Sequence, residues 1–335
     1  SMPSSSQHSK LAQSRQSSAN LRAVALSAIS FLVGLQFKNL VDLFALSSGN
    51  DATINTNAGW APDYHLCRTV KSRRAGAGAE GGKTRARNEG IEVPAVHMIA
   101  IADANFARKY APIFKKNEQY ARRHGYEWHV IGTDSPICTK MYAHDFFFRK
   151  HCMVAEWMED TLDEDDVVVV FDSDVVPYRP GISLESWTST GEDIVMYERI
   201  WNTEIAAGNY IARNNYRART FLREWAQYVY EMPKEAFSSS DNGAIHLHIR
   251  RVAGLEGRKT GRCGQLYRNL TALSDNLDPY YEFVGCARQN VTPGTIEALD
   301  GSGLTLRLMG KSKAWVVDGV YERIKRDEPG PVFHH

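Results

Sequence analysis

The sequence predicts an α/β fold over residues 94–335, with a Rossmann-like, mostly parallel sheet flanked by helices. Apolar, strand-like runs alternate there with stretches of helical spacing, which is the pattern of a parallel sheet. Residues 167–171, four valines and Phe171, form a run apolar enough to be covered on both faces. Two aspartates follow this run closely, at the strand end where α/β proteins bind their ligands.

The predicted elements alternate from residue 96 to residue 249. In order they are a strand at 96–106, a helix at 107–125, a strand at 126–132, a helix at 144–160, the strand that leads to Asp172, strands at 193–199 and 206–214, and helices at 216–232 and 238–249. Asp241 is the expected N-cap of the last helix. After residue 255 the pattern is weaker.

Asp172 and Asp174 flank a single serine at the end of the valine-rich strand. Residues i and i+2 of a strand point to the same side, so both carboxylates can converge on one point. Carboxylates that close repel each other unless a cation lies between them. Mg²⁺ and Mn²⁺ take oxygen ligands of this kind and leave positions for substrate phosphates. The alternative is a polar turn that caps the strand before Pro177.

Composition excludes some classes of function. The 335 residues suffice for one large domain plus extra segments, and 40 basic against 39 acidic residues leave a net charge of +1. Nothing in this balance indicates a nucleic-acid binder. The 5 cysteines are scattered without a CxxC pair, which is poor spacing for zinc. An odd number fits one or two disulfides with a thiol left over, or no disulfide.

The amino-terminal third differs from the rest. Residues 1–22 contain basic but no acidic side chains, and residues 23–37 carry no charge. We therefore predict a cytosolic tail at 1–22 and a signal anchor at 23–47. The charge-free run is shorter than the roughly 20 residues of a full span, so cleavage is an open alternative, as is an amphipathic helix. Residues 48–93, rich in Gly, Ala and Arg, are predicted to be a flexible stem.

Two glycosylation sequons lie in the carboxyl-terminal part, at Asn269-Leu-Thr and Asn290-Val-Thr. Pro293 makes the second one the weaker acceptor. Sequons have a meaning only if this part of the chain is lumenal. Together with the anchor, they lead us to expect a single-pass type II protein of the Golgi or ER membrane, with its catalytic domain in the lumen.

Five blocks of the chain, in order, resemble one family of enzymes. They are "QYARRHGYEWHVIG", "FFFRKHCMVAEWM", "VVVFDSDVVPYRPG", "AAGNYIARNNYRARTFLREWAQY" and "SSDNGAIHLHI". This pattern resembles the GT-A nucleotide-diphospho-sugar transferases with a DXD motif. It is most similar to a nematode-expanded family and more distantly similar to fungal and plant galactosyl-, mannosyl- and xylosyltransferases. The resemblance covers about 94–250 well and 250–330 loosely. It implies sugar transfer from a UDP- or GDP-sugar to a glycan, glycoprotein or glycolipid.

The resemblance also implies which residues hold the donor. Asp172 and Asp174 would bind Mn²⁺ or Mg²⁺ on the donor diphosphate. Such families often add a histidine near the carboxyl end, which points to His334 or His335, although no glycine follows them as in the usual pair. A frayed terminus or a tag remnant is the alternative for these two. The other implied contacts are Ile101, Ala102 and Asp103 on the nucleoside, and Gly208 and Asn209 on the sugar.

Catalytic roles follow from the same resemblance. Asp241 and Asn242 would face the reacting centre, and Arg149 would approach the donor sugar or its phosphates. A bound dication stabilises charge on the leaving diphosphate, and the sugar passes through an oxocarbenium-like state. A carboxylate such as Asp241 could stabilise that state or take the acceptor's proton. The alternatives are a plain N-cap for Asp241 and a salt-bridge partner for Arg149. His246 and His248 are expected to be packed helix residues.

Two other functions compete with this reading. Haloacid-dehalogenase-like phosphatases also place Asp-x-Asp after an apolar strand, with the first aspartate as nucleophile. Their motif normally lies on the first strand, whereas Asp172 is in the middle of the chain, and no Gly-Asp-x-x-x-Asp block follows it. The third reading is a non-catalytic, sugar-binding descendant of the GT-A fold. The presence of Asp172, Asp174 and Arg149 argues mildly against it.

Overall fold

The computed structural model describes residues 94–142, 145–200, 202–233, 240–255, 261–270, 277–317 and 331–335. The predicted tail, anchor and stem, residues 1–93, lie outside the described residues. Among the described residues, no helix combines the length and the apolar character needed to cross a bilayer.

Most strands belong to one twisted α/β sheet. They are β1 (Val96–Ile101), β2 (Glu127–Ile131), β3 (Val167–Phe171), β5 (Ile194–Tyr197), β6 (Tyr210–Arg213), β7 (Gly294–Glu297) and β8 (Thr305–Met309). Their order across the sheet is β2-β1-β3-β6-β5-β8-β7. A small second sheet joins β4 (Val176–Pro177), β10 (Phe333–His334) and β9 (Val316–Val317), in that order.

The main sheet is mixed, so the prediction of a mostly parallel sheet is wrong. β1 pairs in parallel with β2 and β3, and β5 pairs in parallel with β8. β6 is antiparallel to both of its neighbours, and β7 is antiparallel to β8. Residues 198–209 join β5 to β6, and residues 298–304 join β7 to β8. Within the described residues, neither connection contains a helix that could return the chain across the sheet, so each joins antiparallel strands. As a result, the start of β6 lies at the same edge as the end of β3.

Helices cover both faces of the main sheet. They are α1 (Ala104–His124), α2 (Pro136–Met141), α3 (Phe146–Thr161), α4 (Glu185–Thr188), α5 (Tyr216–Ala226), α6 (Ser240–Val252), α7 (Arg262–Arg268) and α8 (Asp278–Arg288), with a 3₁₀ turn at Gln227–Glu231. The β-α-β-α-β start predicted from the sequence is confirmed. The helix α2 and the elements after residue 255 were not predicted.

The strand β3 is buried on both faces, as its sequence predicts. Val168 and Val170 pack towards α3, α5 and α6, whereas Val167, Val169 and Phe171 pack towards α1 and the small sheet. Each of the five side chains is at most 3% exposed. Burial of such a side chain contributes about 1.5–3 kcal/mol. The strand is therefore a rigid support for the aspartates that follow it.

Two disulfides connect consecutive helices. Cys138–Cys152 joins α2 to α3, and Cys263–Cys286 joins α7 to α8. The fifth cysteine, Cys67, lies outside the described residues.

The small sheet brings residues 331–335 back to the end of β3. Phe333 is fully buried and contacts the rings of Tyr120 and Phe171 at 4.8 and 4.6 Å between centroids. The backbone N–H of His335 donates to the carbonyl of Val317. Residues 331–335 are thus packed and hydrogen-bonded, which is not the geometry of a frayed terminus.

Candidate active site

A cleft of about 440 Å³ opens at the carboxyl ends of β1 and β3. It brings together most of the residues that the sequence predicted for the site. Those that line it are Ile101, Ala102, Asp103, Arg149, Asp172, Asp174, Gly208 and His335. Asn209, Asp241, Asn242 and His334 do not line it.

Asp172, Asp174 and His335 meet at the floor of the cleft. His335 Nε2 lies 3.2 Å from Asp174 Oδ1 and 3.7 Å from Asp172 Oδ2. The hydrogen bond from His335 is the main cause that lowers the pKa of Asp174, and it outweighs the effect of burial. Two carboxylates and one imidazole are a donor set that fits Mn²⁺. Of the two histidines predicted as a third ligand, His335 lines the cleft and His334 does not.

The position of the Asp172 carboxylate depends on the start of β6. A Cβ atom added at Gly208 would lie 1.7 Å from Asp172 Oδ2, so any side chain there would displace the Asp172 carboxylate. Asn209 accepts a hydrogen bond from the backbone N–H of Asp172 at 3.0 Å. Asn242 accepts one from the backbone N–H of Ala207 at 3.1 Å. Asn209 and Asn242 therefore hold the backbone around the cleft, and the ligand contacts predicted for them stay predictions.

Replacing Gly208 by alanine is expected to push the Asp172 carboxylate out of place and to weaken Mn²⁺ binding without unfolding the protein. The matched control is Gly132→Ala, because a Cβ there has no heavy atom within 4 Å. Calorimetric titration with Mn²⁺ measures the effect, and circular dichroism verifies the fold. Equal Mn²⁺ affinity in both variants would show that Asp172 does not bind the ion.

Asp241 lies beneath the cleft and not in it. Its carboxylate is 2% exposed, and Oδ2 is 3.4 Å from Lys150 Nζ and 3.2 Å from His151 Nε2. The predicted N-cap is wrong, and Asp241 does not line the cleft, so its role at the reacting centre stays a prediction. Asp241 is the second residue of α6, and its side chain turns inward to a cation. Burial is the largest single effect and raises the pKa of Asp241, but Lys150 and the hydrogen bond from His151 together outweigh it, and the net shift is downward.

Lys150 is the residue of this site that sequence reasoning missed. Its ammonium group is 3.5 Å from Asp172 Oδ1, so it connects the buried Asp241 to the Asp172 carboxylate. Burial lowers the pKa of Lys150, yet the two carboxylates raise it above its usual value. A signal was present in the sequence. Lys150 is three, four and seven residues before Met153, Val154 and Trp157, which is the spacing of one inward helix face.

His151 completes the buried network as a neutral side chain. Burial lowers its pKa to about 4, against the opposing effect of Asp241. The ring stacks on Trp225 with 3.5 Å between centroids, and Nδ1 lies 3.2 Å from the hydroxyl of Tyr210. A proton on Nε2 satisfies both partners, because Nε2 then donates to Asp241 and Nδ1 accepts from Tyr210. The network fixes Lys150 below Asp172.

We expect the protein to lose stability as the pH falls from 7 to 5. His246 is buried like His151, and burial lowers its pKa to about 4 as well. An unfolded histidine takes up its proton near pH 6.5, whereas these two stay neutral in the fold, so acid favours the unfolded chain. The expected loss is up to about 2 kcal/mol for each histidine. Urea unfolding at several pH values measures it. The free energy of unfolding should depend less on pH in His151→Gln and in His246→Gln. An unchanged pH dependence in both variants would show that these histidines are not neutral in the fold.

The other end of the cleft is aromatic and cationic. Phe106 is 49% exposed, and Phe146 and Phe147 are each 37% exposed, although all three line the cleft. The guanidinium of Arg149 lies 5.8 Å from the centre of the Phe146 ring. Within the described part of the chain, Arg149 Nε has no hydrogen-bond partner. An exposed aromatic surface beside a guanidinium group suits a planar ring that carries phosphates.

Comparison with known proteins identifies a family. A family model described as "Protein of unknown function, DUF273" matches residues 117–325. The chain belongs to this family. A search of curated proteins finds none that matches.

Two solved structures are similar to the chain at low identity. A glycosyltransferase involved in glycosylation of the major capsid of the virus PBCV-1 is 16% identical, with 64% of this chain and 94% of that chain covered and a TM-score of 0.35. A mutant Drosophila β-1,4-galactosyltransferase 7, in complex with manganese, UDP-Gal and xylobiose, is 10% identical, with 64% and 93% covered and a TM-score of 0.29. Both scores are low, so the function rests on the site itself.

Proposed function

We propose that the cleft is the active site of a metal-dependent glycosyltransferase with a GT-A-like fold. It would transfer a sugar from a nucleoside-diphosphate donor to a hydroxyl group of a glycan, glycoprotein or glycolipid. The observation that carries the proposal is the meeting of Asp172, Asp174 and His335 at the floor of a cleft with an exposed aromatic wall. Each part of this arrangement matches one part of a nucleotide sugar.

The diphosphate end of the donor would lie at the acidic floor. Asp172, Asp174 and His335 would hold Mn²⁺ or Mg²⁺, which supplies Lewis-acid stabilisation of charge on the leaving diphosphate when bound. Arg149 would add a second positive charge to the same phosphates, because its Nε is unsatisfied and its side chain lines the cleft. Lys150 is a positioning residue in this account, since it contacts Asp172 from below.

The nucleoside would lie against the end of β1 and the start of α1. Ile101, Ala102 and Asp103 line the cleft there, beside the exposed ring of Phe106. The Asp103 carboxylate also caps α1, accepting from the backbone N–H groups of Asn105 and Phe106 at 2.8 Å. This double role fixes the wall of the cleft at the point where the base would stack.

A thermal-shift panel of the full chain tests the donor class. Uridine, guanosine, adenosine and cytidine diphosphates are compared, each with Mn²⁺ and with excess chelator. A ligand that binds the folded state stabilises it by mass action, by about 2.7 kcal/mol when the free ligand is at a hundred times its Kd. This stabilisation raises the melting temperature. We expect one nucleotide to raise it, and only with Mn²⁺. A shift of the same size in chelator would refute the metal-dependent site.

We further propose that the described part of the chain lies in the lumen of the Golgi or ER, behind the predicted anchor at 23–47. Two disulfides support an oxidising compartment, and the side chains of Asn269 and Asn290 are exposed, as glycan acceptors must be. The tagged full chain should sediment with membranes and shift in mass after endoglycosidase treatment, mostly through Asn269. A cytosolic, unglycosylated protein would rule this placement out.

A further inference from the structure

We infer a second metal site, for a zinc-like ion, formed by His97, Glu127 and His129. The site lies at the amino ends of β1 and β2, at the edge of the main sheet opposite the Asp172 cleft. His97 pairs with Glu127, and Ile99 pairs with His129, in the parallel register of these two strands. Side chains two residues apart on a strand share a face, so all three project to the same side of the sheet.

The three donor atoms are as far apart as the ligand atoms around a tetrahedral metal ion. His97 Nδ1 lies 3.3 Å from His129 Nε2 and 3.5 Å from Glu127 Oε2, and His129 Nε2 lies 3.3 Å from Glu127 Oε2. Ligands about 2.0–2.1 Å from a tetrahedral Zn²⁺ are about 3.3 Å apart. The three atoms therefore occupy three corners of such a site, and the fourth corner is left for water.

A carboxylate behind His97 orients its ring. His97 is 5% exposed, and its Nε2 lies 3.3 Å from Asp166 Oδ2. Asp166 is itself fixed by the backbone N–H groups of Ala95 and Asp163, at 2.9 and 3.1 Å. A histidine that binds a metal usually donates its other N–H to a carboxylate in this way. With that proton on Nε2, the Nδ1 lone pair faces His129 and the Glu127 carboxylate, and either a cation or the proton of His129 Nε2 lies between them.

The residue types decide which cation fits. Two imidazoles and one carboxylate favour Zn²⁺ and its neighbours over Mg²⁺ or Mn²⁺, which prefer oxygen ligands. Glu127 is 61% exposed, which gives an ion a path from solvent, while the Trp157 ring packs against both imidazoles. β2 is the last strand at its edge of the sheet, so the ion would cross-link that strand to β1.

Zinc titration of the full chain tests this site. The chain is stripped with chelator, and the Asp172→Asn/Asp174→Asn variant is used as the background so that the cleft does not bind the ion. His129→Gln and Glu127→Gln should each weaken the affinity for Zn²⁺ more than tenfold, since even an outer partner of a metal ligand is worth that much. The matched controls, His124→Gln and Glu118→Gln on α1, should leave it unchanged.

Two further readouts separate a bound ion from a proton shared by the histidines. Zn²⁺ should raise the melting temperature of the background chain but not that of the His129→Gln chain. Co²⁺ should give the intense visible absorption of a four-coordinate site, and Zn²⁺ should remove it. Absence of zinc binding, or a zinc affinity in His129→Gln and in Glu127→Gln equal to that of the background chain, would overturn the site.

Discussion

Replacing Asp174 by asparagine is expected to lower the rate of sugar transfer by roughly a hundredfold or more. The substitution keeps the shape of the side chain and removes a full negative charge from the metal. Loss of the ion would remove stabilisation of the leaving diphosphate worth several kcal/mol, and each 1.36 kcal/mol is about tenfold in rate. The rate is measured against Mn²⁺ concentration, and the apparent affinity for Mn²⁺ should fall together with the rate.

The effect of this substitution on stability should be small. The Asp174 side chain is 52% exposed, so solvent screens its pairing with His335. The matched control is Asp160→Asn near the carboxyl end of α3, which should keep full activity. If Asp174→Asn turned over at the wild-type rate in saturating Mn²⁺, or if the wild type were fully active in chelator, the acid pair would be only a strand cap.

Replacing Lys150 by methionine is expected to destabilise the protein by about 3–5 kcal/mol, because it leaves the buried Asp241 without its cation. The Asp241 side chain is 2% exposed, and water cannot take the place of the ammonium group. The matched control is Arg149→Met, one residue earlier on α3. Arg149 lines the cleft, so that change should lower activity and leave stability nearly unchanged. Urea unfolding and turnover of both variants make the comparison.

A double variant separates the charge from the loss of packing. Asp241→Asn removes the buried charge and keeps an acceptor for His151, so Lys150→Met/Asp241→Asn should regain much of the stability lost in Lys150→Met. It should not regain activity, since Asp172 still lacks its support from below. A double variant as unstable as the sum of its parts would show that the two side chains do not form a functional pair.

The sequence predicts the parts of the site that come from local pattern. The strand of valines, the acid pair two residues apart and the helices around them all follow from periodicities within about twenty residues. The position of His335 does not, because it depends on the pairing of β10 with β4 and β9, which joins segments far apart in the chain. The pairing of Gly208 with Asp172 depends in the same way on the antiparallel placement of β6.

Burial explains the two larger errors at the site. The helical spacing of Lys150 does not by itself identify a site residue, because lysines are rarely buried unless paired, and its partner Asp241 is 91 positions later in the chain. For Asp241 the sequence predicts a helix N-cap or a place at the reacting centre, because an aspartate near a helix start usually caps it. A tertiary contact determines the position of both side chains, since each turns inward and forms an ion pair with the other. A single sequence does not show such a contact.

Product analysis with a mixture of nucleotide sugars tests the glycosyltransferase proposal most directly. The full chain is incubated with UDP- and GDP-sugars, a panel of glycan acceptors and Mn²⁺, and the products are identified by mass spectrometry. We expect that one donor is consumed, that its nucleoside diphosphate is released, and that release stops in chelator and in Asp174→Asn. Release of inorganic phosphate from phosphate esters in a parallel incubation, or binding of a donor without turnover, would contradict it.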